Sequence, residues 1–368
     1  MIHKLQPQQY AQAEKLFTQR EHHLFCDGVL SKNYPGQIFV DNEDAPTSAL
    51  LTKNNTWCYL GGNPHNEPFN QALRDALRER TEIGKDTGAL LLSPNDAGWV
   101  PVINTLVEGR LGLPTGRHLY IADTQNFQSY HDLPEGFSLH FIDEALADKV
   151  TQELPGDVQD VLQLRAASAE PDTAAFGFVA IHHQKCVAQA FVDCIVGDRG
   201  EIGLFTNNEF RQCGLATAVS SATIQYALTH GLIAVHWDCA VSNAGSNRLA
   251  QKMGLRHVLD HTHYLIVFNE TGYLLNIAWN HLDASEFAQT LDVCQPLMDV
   301  EKPSMYTYYL AGAASAGLGE RDVALGYLDT AVTLGWDDLA LIENNIPLQS
   351  LHNTAEWPQL IARIQENM

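Results

Sequence analysis

Apolar positions recur along the chain with two different periods, and the changes of period divide it into three segments. In residues 36–107, short alternating runs predict strands at 37–40, 48–52, 56–60 and 89–92, while a 3.6-residue spacing predicts helices at 66–80 and 97–107. A polar, turn-rich link at 123–134 follows. The second segment opens with a strand at 138–141, helices within 143–168, and strands at 175–181, 186–196 and 201–206. It continues with a helix at 214–230, a strand at 233–239, a helix at 244–253, and closing strands at 256–259 and 264–268. Alternating strands and helices predict an α/β (α+β) fold, a mixed sheet flanked by helices on both faces. Both segments run strand, strand, strand, helix, strand, helix. The first is therefore either a degenerate copy of the second or an unrelated α/β domain, and a different strand order in it excludes the copy.

After Glu270 the spacing is helical to the end. Leu274, Ile277, Ala278 and Leu297 recur 34 positions later as Tyr308, Ala311, Gly312 and Ala331, the period of a tetratricopeptide helix pair. Trp336 stands where that repeat usually has proline. Two such pairs cannot bury a core alone. The segment is thus expected to pack on the rest of the chain or on another subunit, with residues 346–364 as a closing cap. Residues 271–368 hold 13 acidic and 3 basic side chains, which suits a solvated or partner-binding surface, for self-association or a protein partner.

Charge and length narrow the classes. At 368 residues the chain is too long for one ordinary core. A net charge of -22 repels nucleic acid and anionic membranes and attracts small cations. No apolar leader stands at residues 1–10, and no run approaches the roughly 18 apolar residues of a membrane span, so a cytoplasmic protein is expected. The seven cysteines are scattered singly and read as reduced. Of the close histidine pairs, His22-His23, His182-His183 and His261/His263, only the last shares a strand face. It has no evident third ligand nearby in sequence, so no metal is expected.

The chemistry concentrates at Arg211-Gln212-Cys213-Gly214-Leu215-Ala216, which fits (Gln or Arg)-x-x-Gly-x-(Gly or Ala) between a strand and a helix. Small residues at Gly214 and Ala216 admit a pyrophosphate to the free N–H groups and positive dipole end of the helix, where Thr217 adds a hydroxyl. The motif follows Glu201-Ile202-Gly203-Leu204-Phe205-Thr206. It precedes Trp237-Asp238-Cys239 and the run Asn243-Ala244-Gly245-Ser246-Asn247-Arg248-Leu249-Ala250-Gln251-Lys252-Met253-Gly254.

Together these pieces resemble the GNAT superfamily of N-acetyltransferases, in particular a subfamily that includes the zwittermicin A resistance acetyltransferase. The resemblance covers residues 184–268 specifically and 36–183 loosely. It implies a catalytic domain at 136–269 that takes acetyl-CoA as cosubstrate, an N-terminal α/β domain at 1–135, and the helical domain at 270–368. It also implies that Leu204, Phe205 and Thr206 flank the pantetheine arm and that residues 211–217 hold the pyrophosphate. Asn243 would bond the pantetheine. Glu201 is the first candidate base and Asp238 the second. A tyrosine that often protonates the departing thiolate is replaced here by Ala250, leaving Ser246, Tyr264 or solvent as the acid. Cys239 lacks a paired base and reads as a packed thiol. The implied activity is acetyl transfer to an amine of a small cationic molecule. The alternatives are a peptide acetyltransferase guided by the helical tail, or a non-catalytic CoA-binding scaffold.

Overall fold

A computed structural model describes residues 2–18, 23–53, 56–130, 132–168 and 174–367. The chain forms two compact units, 1–266 and 267–368. Among the described residues no helix is long and apolar enough to cross a membrane.

The first unit is built on one twelve-stranded sheet. Its strands are β1 (His3–Lys4), β2 (Gln37–Val40), β3 (Ser48–Lys53), β4 (Trp57–Gly62), β5 (Ala89–Pro94) and β6 (Leu113–Ala122). They continue as β7 (Ser138–Phe141), β8 (Phe176–His182), β9 (Lys185–Val196), β10 (Arg199–Thr206), β11 (Ala234–Ala240) and β12 (Arg256–Val267). Their spatial order is β1-β2-β3-β4-β5-β12-β6-β11-β10-β9-β8-β7. From each edge inward the pattern is the same: three antiparallel pairings and then one parallel pairing, β4 with β5 and β10 with β11. The two long middle strands, β6 and β12, are antiparallel to each other.

The halves expected to meet at 135/136 therefore lie in one compact unit and share a sheet. Strand β6, which comes before that boundary, sits between β11 and β12 and extends the ladder of the second half. The two strands expected at 256–259 and 264–268 are one. Polar residues from Asp260 to His263 interrupt the apolar run, but their backbones stay paired to β6 from His118 to Thr115.

Helices in this unit are α1 (Leu24–Leu30), α2 (Glu67–Glu79), α3 (Val100–Ile103), α4 (Gly156–Ala167), α5 (Leu215–Thr229) and α6 (Ala244–Lys252). Most of α3's expected span, 97–107, is a 3-10 turn followed by one short α segment. Helix α5 packs Leu215, Val219, Ile224 and Ala227 against Ala190, Val192, Val235 and Trp237 of the sheet. Its buried Thr223 hydroxyl donates to Ala190 O at 3.0 Å and Val219 O at 2.8 Å, so the polar group enters the core satisfied. This packing fixes the start of α5 relative to β10.

The second unit holds α7 (Glu270–Asp283), α8 (Phe287–Met298), α9 (Met305–Gly317), α10 (Arg321–Thr333), α11 (Leu339–Asn344) and α12 (Trp357–Asn367). It has a core of its own, because the closing segment adds Leu348, Leu351, Trp357, Leu360 and Ile364 to the helix pairs. Trp336 is 1% exposed and stacks on Tyr309 at 4.3 Å between ring centroids. Trp336→Ala is expected to destabilise this unit by about 3–5 kcal/mol through lost contacts and the cavity left behind. Urea unfolding followed by far-ultraviolet circular dichroism measures this, and an unchanged midpoint would show that the stack carries no weight.

Candidate active site

The parallel pairing of β10 with β11 covers Arg199↔Ala234, Gly200↔Val235 and Glu201↔His236, and there it ends. Beyond it, β10 remains paired to β9 as far as Thr206↔Ala188, with a register shift between Glu201 and Ile202. Strand β11 remains paired to β6 as far as Ala240↔Arg117. Residues 202–206 and 237–240 therefore part, each strand leaving one edge without a ladder partner. Such an edge accepts an extended chain as an added strand. The Thr206 hydroxyl, buried and without a hydrogen-bond partner among the described residues, lies on this stretch, beside half-buried Leu204 and 49%-exposed Phe205. The corresponding pair in the first half does not part: β4 and β5 stay together to Leu60↔Pro94, and Asn95 N donates to Leu60 O at 2.8 Å.

At the far end of β10 the chain enters α5 through two left-handed residues, Gln212 (φ 61°) and Gly214 (φ 84°). No side chain caps α5 and no acid stands in its first turn. A Cβ at Gly214 would meet nothing within 4 Å, and residues 211–214 are exposed. Open space before unsatisfied N–H groups is what an anion needs. Leu215 points into the core, so it offers only its backbone. The Thr217 hydroxyl lies 3.5 Å from Lys252 Nζ, which brings a positive charge from α6 to the same place. Helix α2 begins in the opposite way. Asn66 caps it by accepting from Phe69 N, with Glu67 in the first turn and a proline beside it. A Cβ at Gly61 would lie 2.5 Å from Leu16 O, so this glycine serves close packing and the turn is no phosphate cradle.

The two faces of β11 do different things. Trp237 and Cys239 face α6, where Trp237 Nε1 donates to Ser246 Oγ at 3.0 Å. Burial raises the Cys239 thiol, which keeps it neutral. On the other face lies a buried polar cluster. Burial alone would raise the Asp238 carboxyl. The hydrogen bond from His261 Nε2 at 2.7 Å and the charge of Arg117, bonded to the same carboxylate through Nε, outweigh that and hold it below the usual range. Half-buried Glu201 has no ion-pair partner among the described residues, and its pKa rises to about 8. Burial is the main cause, opposed by Lys53 and reinforced by Asp238 and Asp193. The first half packs against this cluster. Tyr59 is 3% exposed, its hydroxyl unpartnered among the described residues, in the field of Glu201 and Asp238; it contacts His23 and Phe25 at 4.3 and 5.0 Å between rings. The Arg117 guanidinium lies 5.2 Å over the Trp57 ring.

Residues 14–264 match the family model described as GNAT acetyltransferase. The chain belongs to this family. It is an acyltransferase, and its 267–368 unit lies beyond the match. The acetyltransferase is 23% identical over 264 residues to "Uncharacterized N-acetyltransferase YdfB" of Bacillus subtilis (strain 168), which covers 72% of this chain and 98% of that protein. In structure it is similar to a GCN5-related N-acetyltransferase-like protein from Streptococcus suis 89/1591. That match has a TM-score of 0.53 and 24% identity and covers 70% of this chain and 98% of the other. A GCN5-related N-acetyltransferase from Sphaerobacter thermophilus follows with a TM-score of 0.48 and 11% identity, covering 72% and 94%.

In the acetyltransferase the residues singled out by sequence fall in three places. Leu204, Phe205 and Thr206 line the parting strands, Arg211 to Thr217 form the bare helix start, and Glu201 stands at the apex. Asp238 does not cap α6; Asn243 does, accepting from Ser246 N at 3.0 Å. Ala250 is fully buried. Sequence reasoning missed Lys252, Tyr59, Trp57 and Arg117. Lys252 lies inside the quoted α6 motif, whereas the others become site residues only when the two halves face each other. It also found no third ligand for His261 and His263, which the fold supplies as His23; His22 lies outside the described residues.

Proposed function

We propose that this acetyltransferase transfers an acetyl group from acetyl-CoA to the amine of a small cationic molecule, with Glu201 as the base. The observation that carries the reading is that the β10–β11 ladder ends at Glu201, so the strands open where a proton acceptor stands. Acetyl-CoA supplies the acetyl group as a thioester, activated toward an amine. The chain's residues do the rest. The N–H groups at the start of α5, with Thr217 and Lys252, hold the diphosphate. The unpartnered edge of 202–206 holds the pantetheine arm and offers N–H donors to the carbonyl oxygen as charge gathers there. Glu201 takes a proton from the ammonium, directly or through water, which frees the lone pair. The new N–C bond forms as the C–S bond breaks, the thiolate leaves with the electron pair, and the second proton of the attacking nitrogen passes to solvent or to the departing thiolate. Its modest basicity lets solvent or the Ser246 hydroxyl protonate it.

Asp238, ion-paired and hydrogen-bonded, positions Arg117 and His261 in this reading and does not exchange protons. The acidic balance of the chain and the resemblance to the zwittermicin A resistance subfamily point to polyamines or amino-polyols. Incubating the full chain with acetyl-CoA and a panel of amines, and following free thiol, tests this. Thiol release with the cationic members is expected. Binding of CoA with no release for any amine, or preference for anionic amines, would overturn it.

A further inference from the structure

Three histidines from distant parts of the chain meet on the face of the sheet that carries Asp238. His261 and His263 share one face of β12, and His23 is the residue before α1. Their ring centroids lie 5.4 Å (His23–His261), 5.4 Å (His23–His263) and 4.9 Å (His261–His263) apart. One ring nitrogen from each lies within 4.8 Å of the others. His23 is 4% exposed, His263 1%, and the His261 side chain 6%. His261 gives its Nε2 to Asp238, which Arg117 fixes in turn. When Nε2 carries the proton of that bond, Nδ1 carries a lone pair. A buried imidazole oriented from behind by a carboxylate is the arrangement that tunes a metal ligand.

We propose that His23, His261 and His263 bind one first-row divalent cation, zinc being the best match to three imidazoles. Oxygen-seeking calcium and magnesium find no comparable ligand set in the trio itself. A tetrahedral site with Zn–N near 2.1 Å places its nitrogens roughly 3.4 Å apart, so the rings close by at most roughly 1.4 Å on binding. Three protein ligands leave a fourth position open. The ion joins the segment before α1 to the last strand of the sheet. Ring packing is the competing explanation, since His23 meets Tyr59 at 4.3 Å and His263 meets Trp57 at 5.2 Å edge to face. Packing alone, however, requires no nitrogen donors, and burying three polar rings costs more than burying phenyl rings. The second histidine group, His118, His257 and Asp260, is solvent-facing, with Asp260 69% exposed at its side chain, and serves as the control.

The test reads the ion and not the acetyl transfer. Full-length protein stripped by a chelator is titrated with zinc against a chromogenic competitor. One tight equivalent is expected, with a rise in melting temperature of roughly 5 °C at a hundredfold excess over Kd. His23→Phe and His263→Phe keep a ring and remove the donors; each is expected to lower zinc affinity at least 100-fold, while His257→Phe keeps it. If the Phe variants fail to fold, X-ray absorption on the zinc-loaded wild type is expected to show three imidazoles. No stoichiometric zinc, wild-type affinity in both Phe variants, loss only in His257→Phe, or a different ligand set would overturn the proposal.

Discussion

Glu201→Gln is expected to lower kcat/KM for the amine by about 10²–10⁴-fold, the usual contribution of a positioned general base. The change keeps the shape of the side chain and removes only its ability to take a proton. The pH dependence gives the sharper signature. Burial raises the Glu201 pKa to about 8, so at neutral pH most of the enzyme holds the wrong protonation state. Wild-type kcat/KM should rise about tenfold per pH unit below that value and level off above it. In the variant this limb disappears, and what remains follows the ionisation of the amine itself. The sign of the stability effect is opposite to that of an ordinary salt-bridged acid. A carboxyl whose folded pKa lies above its unfolded value binds its proton more tightly when folded, so ionising it between pH 4.5 and about 8 destabilises the fold. Glutamine removes that cost, and the variant should melt no lower than wild type at pH 9. Activity within tenfold of wild type with an unchanged profile would remove Glu201 from the chemistry.

Glu201 became a candidate through the resemblance alone, in which carboxylates on this strand serve as the base, whereas the bare helix start was legible as a glycine motif with a physical purpose. The strands and helices of the second half were legible because their apolar runs are long and end in turns. Strand β6 escaped because Leu113-Pro114-Thr115-Gly116-Arg117-His118 reads as a turn. Its polar residues are held by partners that only the fold provides, Asp238 for Arg117 and Asp260 for His118. Helix α1 escaped for the opposite reason. Leu24, Phe25, Cys26, Gly28 and Val29 are buried on several sides, which erases the one-sided period that marks a surface helix. The order of strands in the first half matches the second, as a copy requires, yet neither the parted strands nor the bare helix start recurs there. We propose that the first half is a copy that lost its CoA site and packs against the polar cluster around Asp238. The three histidines were beyond reach of sequence spacing, because His23 meets His261 and His263 only after both halves share one sheet.

Ala216→Glu is expected to raise the KM for acetyl-CoA by about 100-fold while leaving the fold intact. Ala216 stands half-buried in the first turn of α5, where there is no acid. A carboxylate about 5 Å from a diphosphate charge costs roughly 3 kcal/mol at an effective dielectric near 20, and roughly 3 kcal/mol is about a hundredfold in binding. The same carboxylate interacts favourably with the helix dipole, worth about 0.3–1 kcal/mol, so the melting temperature should hold or rise. Lost binding with gained stability separates a cradle from a structural turn. Helix α2 supplies the internal precedent, since Glu67 already occupies its first turn. Ala216→Gln, matched in size, should raise KM far less, and the difference between the two variants should shrink as salt screens the repulsion. Equal effects from Glu and Gln would make the obstruction steric. No effect from either would place the diphosphate somewhere other than the start of α5, and the proposed path from Thr217 along β10 to Glu201 would fail with it.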